Sequence, residues 1–264
     1  DEILISCYVC HPSMCNDNLS GTVLATILAK HLLTQKNKYS LRFLFIPETI
    51  GAITWLSKNE KNIDKIKHGL VATCLGDSTK FKYKKTRHGN TSLDQIVINV
   101  LKNSKYDFEI IDFFPTGSDE RQFCSPGFDL PVGSLFRGFY GTTDMPFYHT
   151  SGDDLNFVNS INLSESFHMY YSIINELHSN YESISNHKNT QSTKKINSNK
   201  SKIYNNLNPK CEPQLGKRKL YNQIGGLIPN NTLQVKLKIA LLWVLNFSDG
   251  KNSLIDIHNK SKID

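Results

Sequence analysis

Apolar positions along the first two-thirds of the chain follow two alternating rhythms. Short apolar runs read as strands at Ile3–Val9, Leu41–Ile46, Leu70–Leu75, Phe81–Lys84, Phe108–Ile111 and Leu130–Phe136. Between them, spacing suited to one face of a helix covers Gly21–Leu33, Ile50–Ser57, Ser92–Leu101 and Leu163–Leu177. Strand and helix in alternation predict an α/β domain of three layers, α/β/α, around a largely parallel sheet. Ligands of such sheets gather beyond the carboxyl ends of the strands. The residues that follow each strand are therefore the first place to look for chemistry.

The rhythm stops near residue 182. Residues 183–206 are Ser, Asn and Lys with almost nothing to bury, which predicts a flexible linker. Beyond it, Leu233–Leu245 is a strongly apolar helix containing Trp243. Ser248–Asn252 reads as a turn, and Ser253 is placed to cap a second helix, Leu254–Lys260. Two helices around a short Gly-containing turn predict a small winged-helix-like module. The expected division is thus 1–182, 183–206 and 207–264. The chain opens without Met directly on a strand and stops before a third helix or wing, so further sequence is expected at both ends.

Charge separates the two parts. From Ser183 onward 14 Lys and Arg face 4 Asp and Glu, a net of +10, whereas residues 1–182 carry 17 basic and 20 acidic groups, a net of −3. The basic tail raises DNA binding, since phosphates reward clustered Lys and Arg. Its charge, however, lies in the linker and around Lys217-Arg218-Lys219, and the second helix offers only His258, Asn259 and Lys260 to base edges. A protein partner for this module is the stronger expectation. The apolar fraction of 39% suffices for a packed core, and no apolar run reaches the length of a membrane span. Six cysteines show no secreted-scaffold spacing, so buried thiols in a reducing cytoplasm are expected. Cys7 and Cys10 form a CxxC, but on a strand their side chains point to opposite faces.

Four segments carry metal-compatible ligands just past predicted strands: Cys10–Gly21 with His11 and Asp17, Phe45–Gly51 with Glu48, Cys74–Asp77 with Asp77, and Phe147–Asp154 with His149. Imidazole and carboxylate with an open position suit a catalytic Zn²⁺. Singly each is weak. A lone His is more often structural, and Asp17 before a helix could equally be an N-cap. Their order at successive strand ends gives them weight together. His31, His68, His88, His168, His178, His187 and His258 show no ligand spacing and read as structural or solvated.

The segments Asn16–Gly21, Pro47–Gly51 and Tyr148–Ser151 resemble zinc aminopeptidases of the bacterial leucyl aminopeptidase type. Cys10-His11-Pro12-Ser13, Gly117–Phe123 and Glu212–Arg218 are similar to their aminopeptidase-like relatives encoded near polysaccharide-biosynthesis genes, which end in a winged helix. The resemblance implies that His11 and His149 are terminal ligands of two metals, that Asp17 bridges them, and that Asp77 completes the first site. It implies that Glu48 is the general base, and that Asp119, Glu120, Arg121 and Tyr148 contact substrate. Bland readings stand beside these: an acidic turn before a helix for Asp119 and Glu120, and neutralisation of Glu120 for Arg121.

The sequence departs from the family at two points. Thr49 stands where the peptidases have a second metal-binding Glu, so one or two Zn²⁺ ions are expected, the second weak or completed by Glu120. Ser13 replaces an Asp that orients the first His. The activity implied is hydrolysis of an N-terminal peptide bond or related amide. The alternatives are an amidohydrolase of an amino-sugar or polysaccharide precursor, and a non-catalytic scaffold.

Overall fold

The computed structural model describes residues 1–138, 143, 145–186, 202–220 and 233–263. Most of the expected linker, residues 187–201, lies outside them. Two compact units result.

The first unit is built on a six-stranded sheet. Its strands are β1 (Glu2–Tyr8), β2 (Ser40–Ile46), β3 (Ile66–Ala72), β4 (Phe81–Lys84), β5 (Phe108–Ile111) and β6 (Val132–Arg137), in the order β2-β1-β3-β6-β4-β5. All neighbours run parallel except β4 and β6. The helices are α1 (Gly21–Leu32), α2 (Ile50–Asn59), α3 (Ser92–Lys102), α4 (Glu120–Phe123), α5 (Ser160–Ser179) and α6 (Tyr181–Asn186). The expected strands and helices fall here within a few residues, with one shift. The third run ends at Ala72 rather than Leu75, because Thr73–Asp77 is a buried loop rather than more strand.

Alternation along the strands divides the core. Ile3, Ile5 and Cys7 of β1 join Leu70, Ala72, Phe81, Tyr83 and Leu135 against Leu24, Leu28, Val97, Ile173 and Leu177 of α1, α3 and α5. Leu4, Ser6 and Tyr8 point the opposite way and are buried as well, so both faces of the sheet are covered. The Tyr170 hydroxyl ties α5 to the sheet, its one proton shared between the carbonyls of Val71 (2.9 Å) and Leu135 (2.8 Å). On β4 the Lys82 and Lys84 side chains oppose Phe81 and Tyr83 and are buried too. Sequence alternation alone would put such lysines in water. Lys84 is instead neutralised by Glu120, with Nζ–Oε1 at 2.6 Å.

His68 on β3 is 1% exposed, with its Nε2 3.3 Å from the Tyr39 hydroxyl. Burial, aided by Lys67, pushes its imidazole down to about 4 from 6.5. Between those values the unfolded chain binds the proton and the folded one does not. Stability is therefore complete above about pH 6.5 and falls by about 3 kcal/mol as the pH drops to about 4. His68→Gln is expected to flatten this limb in urea-unfolding midpoints taken against pH. An unchanged limb would clear His68 of the effect.

The second unit draws Phe114–Gly117 and Arg121–Asp129 together with the chain beyond residue 190. Two stretches that the expected division placed in residues 1–182 thus cluster with the C-terminal residues. Backbone bonds hold them there: Gly127 N–H donates to Pro209 O (2.8 Å), Cys211 N–H to Ser125 Oγ (2.9 Å), and Glu212 N–H to Gln122 Oε1 (2.9 Å). The unit's remaining elements are β7 (Ile203–Asn205), α7 (Leu233–Phe247), β8 (Asp249–Ser253) and α8 (Leu254–Ser261). β7 and β8 pair antiparallel, so a strand falls within the predicted linker and the predicted turn is itself a strand. Ser253 caps α8 in a capping box with Asp256. No helix among the described residues is long and apolar enough to cross a membrane.

Candidate functional site

The strands β1, β2, β3 and β6 point their carboxyl ends to one side of the sheet, and the loops there carry the candidate ligands. β1 ends at Tyr8, and His11 follows in a short loop. The chain then makes a tight turn, Cys15–Ser20, before α1. Within it, Asn16 and Asn18 stitch the turn to the end of β3. Asn16 Oδ1 accepts from Gly76 N–H (2.9 Å), and Asn18 Nδ2 donates to Ala72 O (3.0 Å). α1 starts so close to β3 that a Cβ on Gly21 would lie 2.4 Å from Ala72 O. Asp17, between the two amides, faces the other way.

Asp17 is not an N-cap. It is fully buried, Tyr8 donates its hydroxyl to Asp17 Oδ1, and the turn's side-chain bond to the start of α1 comes from Asn18, whose Oδ1 accepts from Gly21 N–H (3.2 Å). Its Oδ2 lies 3.5 Å from His11 Nδ1 and 3.0 Å from His149 Nε2. The two imidazoles meet edge to face with centroids 5.1 Å apart. One ligand atom from each of His11, Asp17 and His149 lies within 4.8 Å of the others. His149 comes from a loop well beyond β6 rather than from the strand end itself, and its φ of 57° is uncommon for a side-chain-bearing residue.

Asp153 joins the two loops, a role that the sequence reading missed. Its carboxylate accepts the backbone N–H of Asn16 (2.6 Å) and of Asp17 (2.9 Å), and its own carbonyl accepts from Cys15 (3.1 Å). The loop bearing His149 is thereby fastened to the turn bearing Asp17.

The other sequence candidates divide. Glu48 borders the cluster. Burial pushes its carboxyl above the ordinary range, the neighbouring Ser118 hydroxyl pulls it down, Asp17 and Glu120 raise it, and His11 lowers it. Tyr148 stacks on His149 at 3.9 Å, and burial followed by Asp17 raises its phenol. Asp77 stands outside the three-ligand group. At the end of the buried loop its carboxylate accepts from Asn16 Nδ2 (2.9 Å) and from Thr79 N–H (2.8 Å), and so braces the turn. Asp119 Oδ1 accepts from Thr49 N–H (2.6 Å), and Glu120 meets Lys84. Arg121 departs most from expectation: it belongs to the second unit, where its guanidinium pairs with Glu212. Of the CxxC pair, Cys7 is buried in the sheet, and Cys10 lies past it, its sulfur accepting from Glu48 N–H (3.3 Å).

His11 Nδ1 and Asp17 Oδ2 are buried and have no hydrogen-bond partner. Buried polar atoms left without a hydrogen bond are costly. A cation between them and His149 would satisfy both, and two imidazoles with a carboxylate are a donor set suited to Zn²⁺.

Residues 1–180 match the family model of a domain of unknown function, DUF4910, and residues 202–264 match a winged helix-turn-helix. A curated protein of Clostridium acetobutylicum, described as a polysaccharide biosynthesis protein with an aminopeptidase-like domain, is 49% identical over 261 residues. The match covers 99% of this chain and 54% of that protein, so the chain spans about half the length of its curated relative. A crystal structure from the same organism superposes with a TM-score of 0.65 at 47% identity, over 99% of this chain and 52% of that one. A zinc aminopeptidase from Bacillus subtilis shares the fold at a TM-score of 0.57 and 17% identity, over 67% of this chain and 46% of the other.

Proposed function

Because this chain belongs to the aminopeptidase-like DUF4910 family, with a winged helix-turn-helix behind that domain, we propose that it is a metal-dependent hydrolase of N-terminal peptide bonds or related amides. The observation that carries the reading is the convergence of His11, Asp17 and His149 within 4.8 Å, two of their facing atoms buried and unsatisfied. These three residues would hold Zn²⁺, with Asp17 central. The bound ion would supply Lewis acidity toward water and the scissile carbonyl.

The chain's own residues do the rest. Glu48, beside Asp17 and His11, takes the proton of the attacking water as the new C–O bond forms at the carbonyl carbon. It returns that proton to the amide nitrogen as the C–N bond breaks. Tyr148, packed on His149, borders the substrate side. Thr49 follows the base with a neutral hydroxyl, which makes one tightly held ion and a second, weaker one the expected stoichiometry.

A related amide of an amino-sugar is the second reading, favoured by the description of the 49% identical relative as a polysaccharide biosynthesis protein. Zinc titration followed by assays on aminoacyl para-nitroanilides and on N-acetylated hexosamines tests both. One equivalent is expected to bind tightly and to be required for hydrolysis. Asp17→Asn is expected to weaken that binding by more than about a hundredfold, beyond the 10–100-fold typical of residues that only orient a ligand. A well-folded chain that takes up no zinc would leave the non-catalytic scaffold as the remaining reading.

A further inference from the structure

We propose that Asp119 is a positioning residue: its buried carboxylate locks the strained turn at Thr49 and so aims Glu48. The inference rests on Glu48 acting as the base, and it reassigns Asp119 from a substrate contact to a brace behind the catalytic loop.

Thr49 has φ 61° and ψ −66°, and Ile50 N–H donates back to Glu48 O at 2.6 Å. This is a γ-turn of the rare, strained hand, centred on a β-branched residue. Such a conformation costs on the order of 1–3 kcal/mol and persists only where the surroundings impose it. Thr49's side chain makes no cap bond to α2. One restraint is Asp119 Oδ1, accepting Thr49 N–H at 2.6 Å, a charge-assisted bond stronger than a neutral one. Asp119 is 0% exposed, so a substrate could reach its carboxylate only by displacing that turn.

The brace is itself anchored. Glu120, the next residue, is pinned by Lys84 at 2.6 Å within the buried side of β4. Ser118, the residue before, places its hydroxyl beside the Glu48 carboxyl. Asp119 thus holds the turn from one side with its neighbour Glu120 fixed to β4, while Gly51 N–H to Pro47 O (2.9 Å) closes it from its own side. Small errors in the aim of a base are costly in rate, about a hundredfold for 1 Å.

The test compares Asp119→Ala with Asp119→Asn, which keeps an oxygen acceptor, in the whole zinc-loaded chain. Two readouts are taken: backbone hydrogen exchange over residues 47–51, and kcat and KM for an aminoacyl para-nitroanilide. Asp119→Ala is expected to speed exchange there by about tenfold or more as the turn opens locally. It is expected to lower kcat by about 10–100-fold with KM within twofold. Asp119→Asn should recover most of both, and adding Thr49→Gly to the Ala variant should recover part of kcat by removing the strain. Unchanged exchange in Asp119→Ala would overturn the proposal. So would a raised KM at constant kcat, which would mark a substrate contact, or an Asn variant as impaired as Ala. If Glu48→Gln itself retained turnover, the base assignment would fall alone, and exchange over residues 47–51 would still decide whether Asp119 holds the turn.

Discussion

Glu48→Gln is expected to lower turnover of an aminoacyl para-nitroanilide by about 10²–10⁴-fold, the usual contribution of a positioned general base. Gln fills the same volume and keeps one carbonyl acceptor, so the turn at Thr49 and the packing around it should survive. It cannot take a proton at working pH, and that is the property removed. Zinc uptake by His11, Asp17 and His149 should be unchanged, because Glu48 is outside that group. KM should move little, since the loss falls on the transition state rather than on binding. Turnover above about a tenth of the parent value, at equal zinc content, would exclude Glu48 as the base.

The second large effect concerns stability. Lys84→Met is expected to cost about 3–5 kcal/mol, because it strands the Glu120 charge in the interior. Breaking one side of such a pair is far costlier than replacing both. Lys84→Met combined with Glu120→Leu should therefore be much milder than the single change, and by the same principle could approach neutrality. Urea unfolding of the three proteins measures this directly. A single variant within about 1 kcal/mol of the parent would show that the pair bears little on stability, as for exposed ion pairs.

The pair was also a place where sequence reading reached its limit. Alternation of Phe81, Lys82, Tyr83 and Lys84 marks a strand correctly, but it assigns the lysines to water. Only tertiary packing reveals that the opposite face is covered and that Glu120, 36 positions away, supplies the counter-charge. Apolar rhythm located the other strands of the sheet because each presents a buried face to helices. It failed where burial extends into a loop, as at Thr73–Asp77, where a short strand is exposed, as at β7, and where a strand is wholly polar, as at β8. His11, Asp17 and His149 were legible because loops at the strand ends carry them in short recognisable motifs. Asp77 was assigned as a ligand from its place beyond a strand and stands outside the group of three, and Arg121 was assigned to substrate from the Gly117–Phe123 segment. The buried turn leaves Asp77 facing Asn16 and Thr79, and Arg121 lies on a helix whose residues after Glu120 pack with the second unit. Asp153 went unassigned because its work is done on backbone amides, which no side-chain motif records.

The threading of the chain between the two units has a consequence for heredity. Phe114–Gly117 and Arg121–Asp129 belong with the C-terminal residues, whereas Ser118–Glu120, between them, belongs with the sheet. A single crossover that exchanges the winged-helix region leaves Phe114–Gly117 and Arg121–Asp129 with the first parent. A recombinant joined anywhere between residues 130 and 202 would inherit Gln122, Ser125 and Gly127 from one parent and their partners Glu212, Cys211 and Pro209 from the other. Those three bonds draw only on backbone atoms of residues 209, 211 and 212, so the identity that has to travel with the first parent is Glu212, whose carboxylate pairs with Arg121.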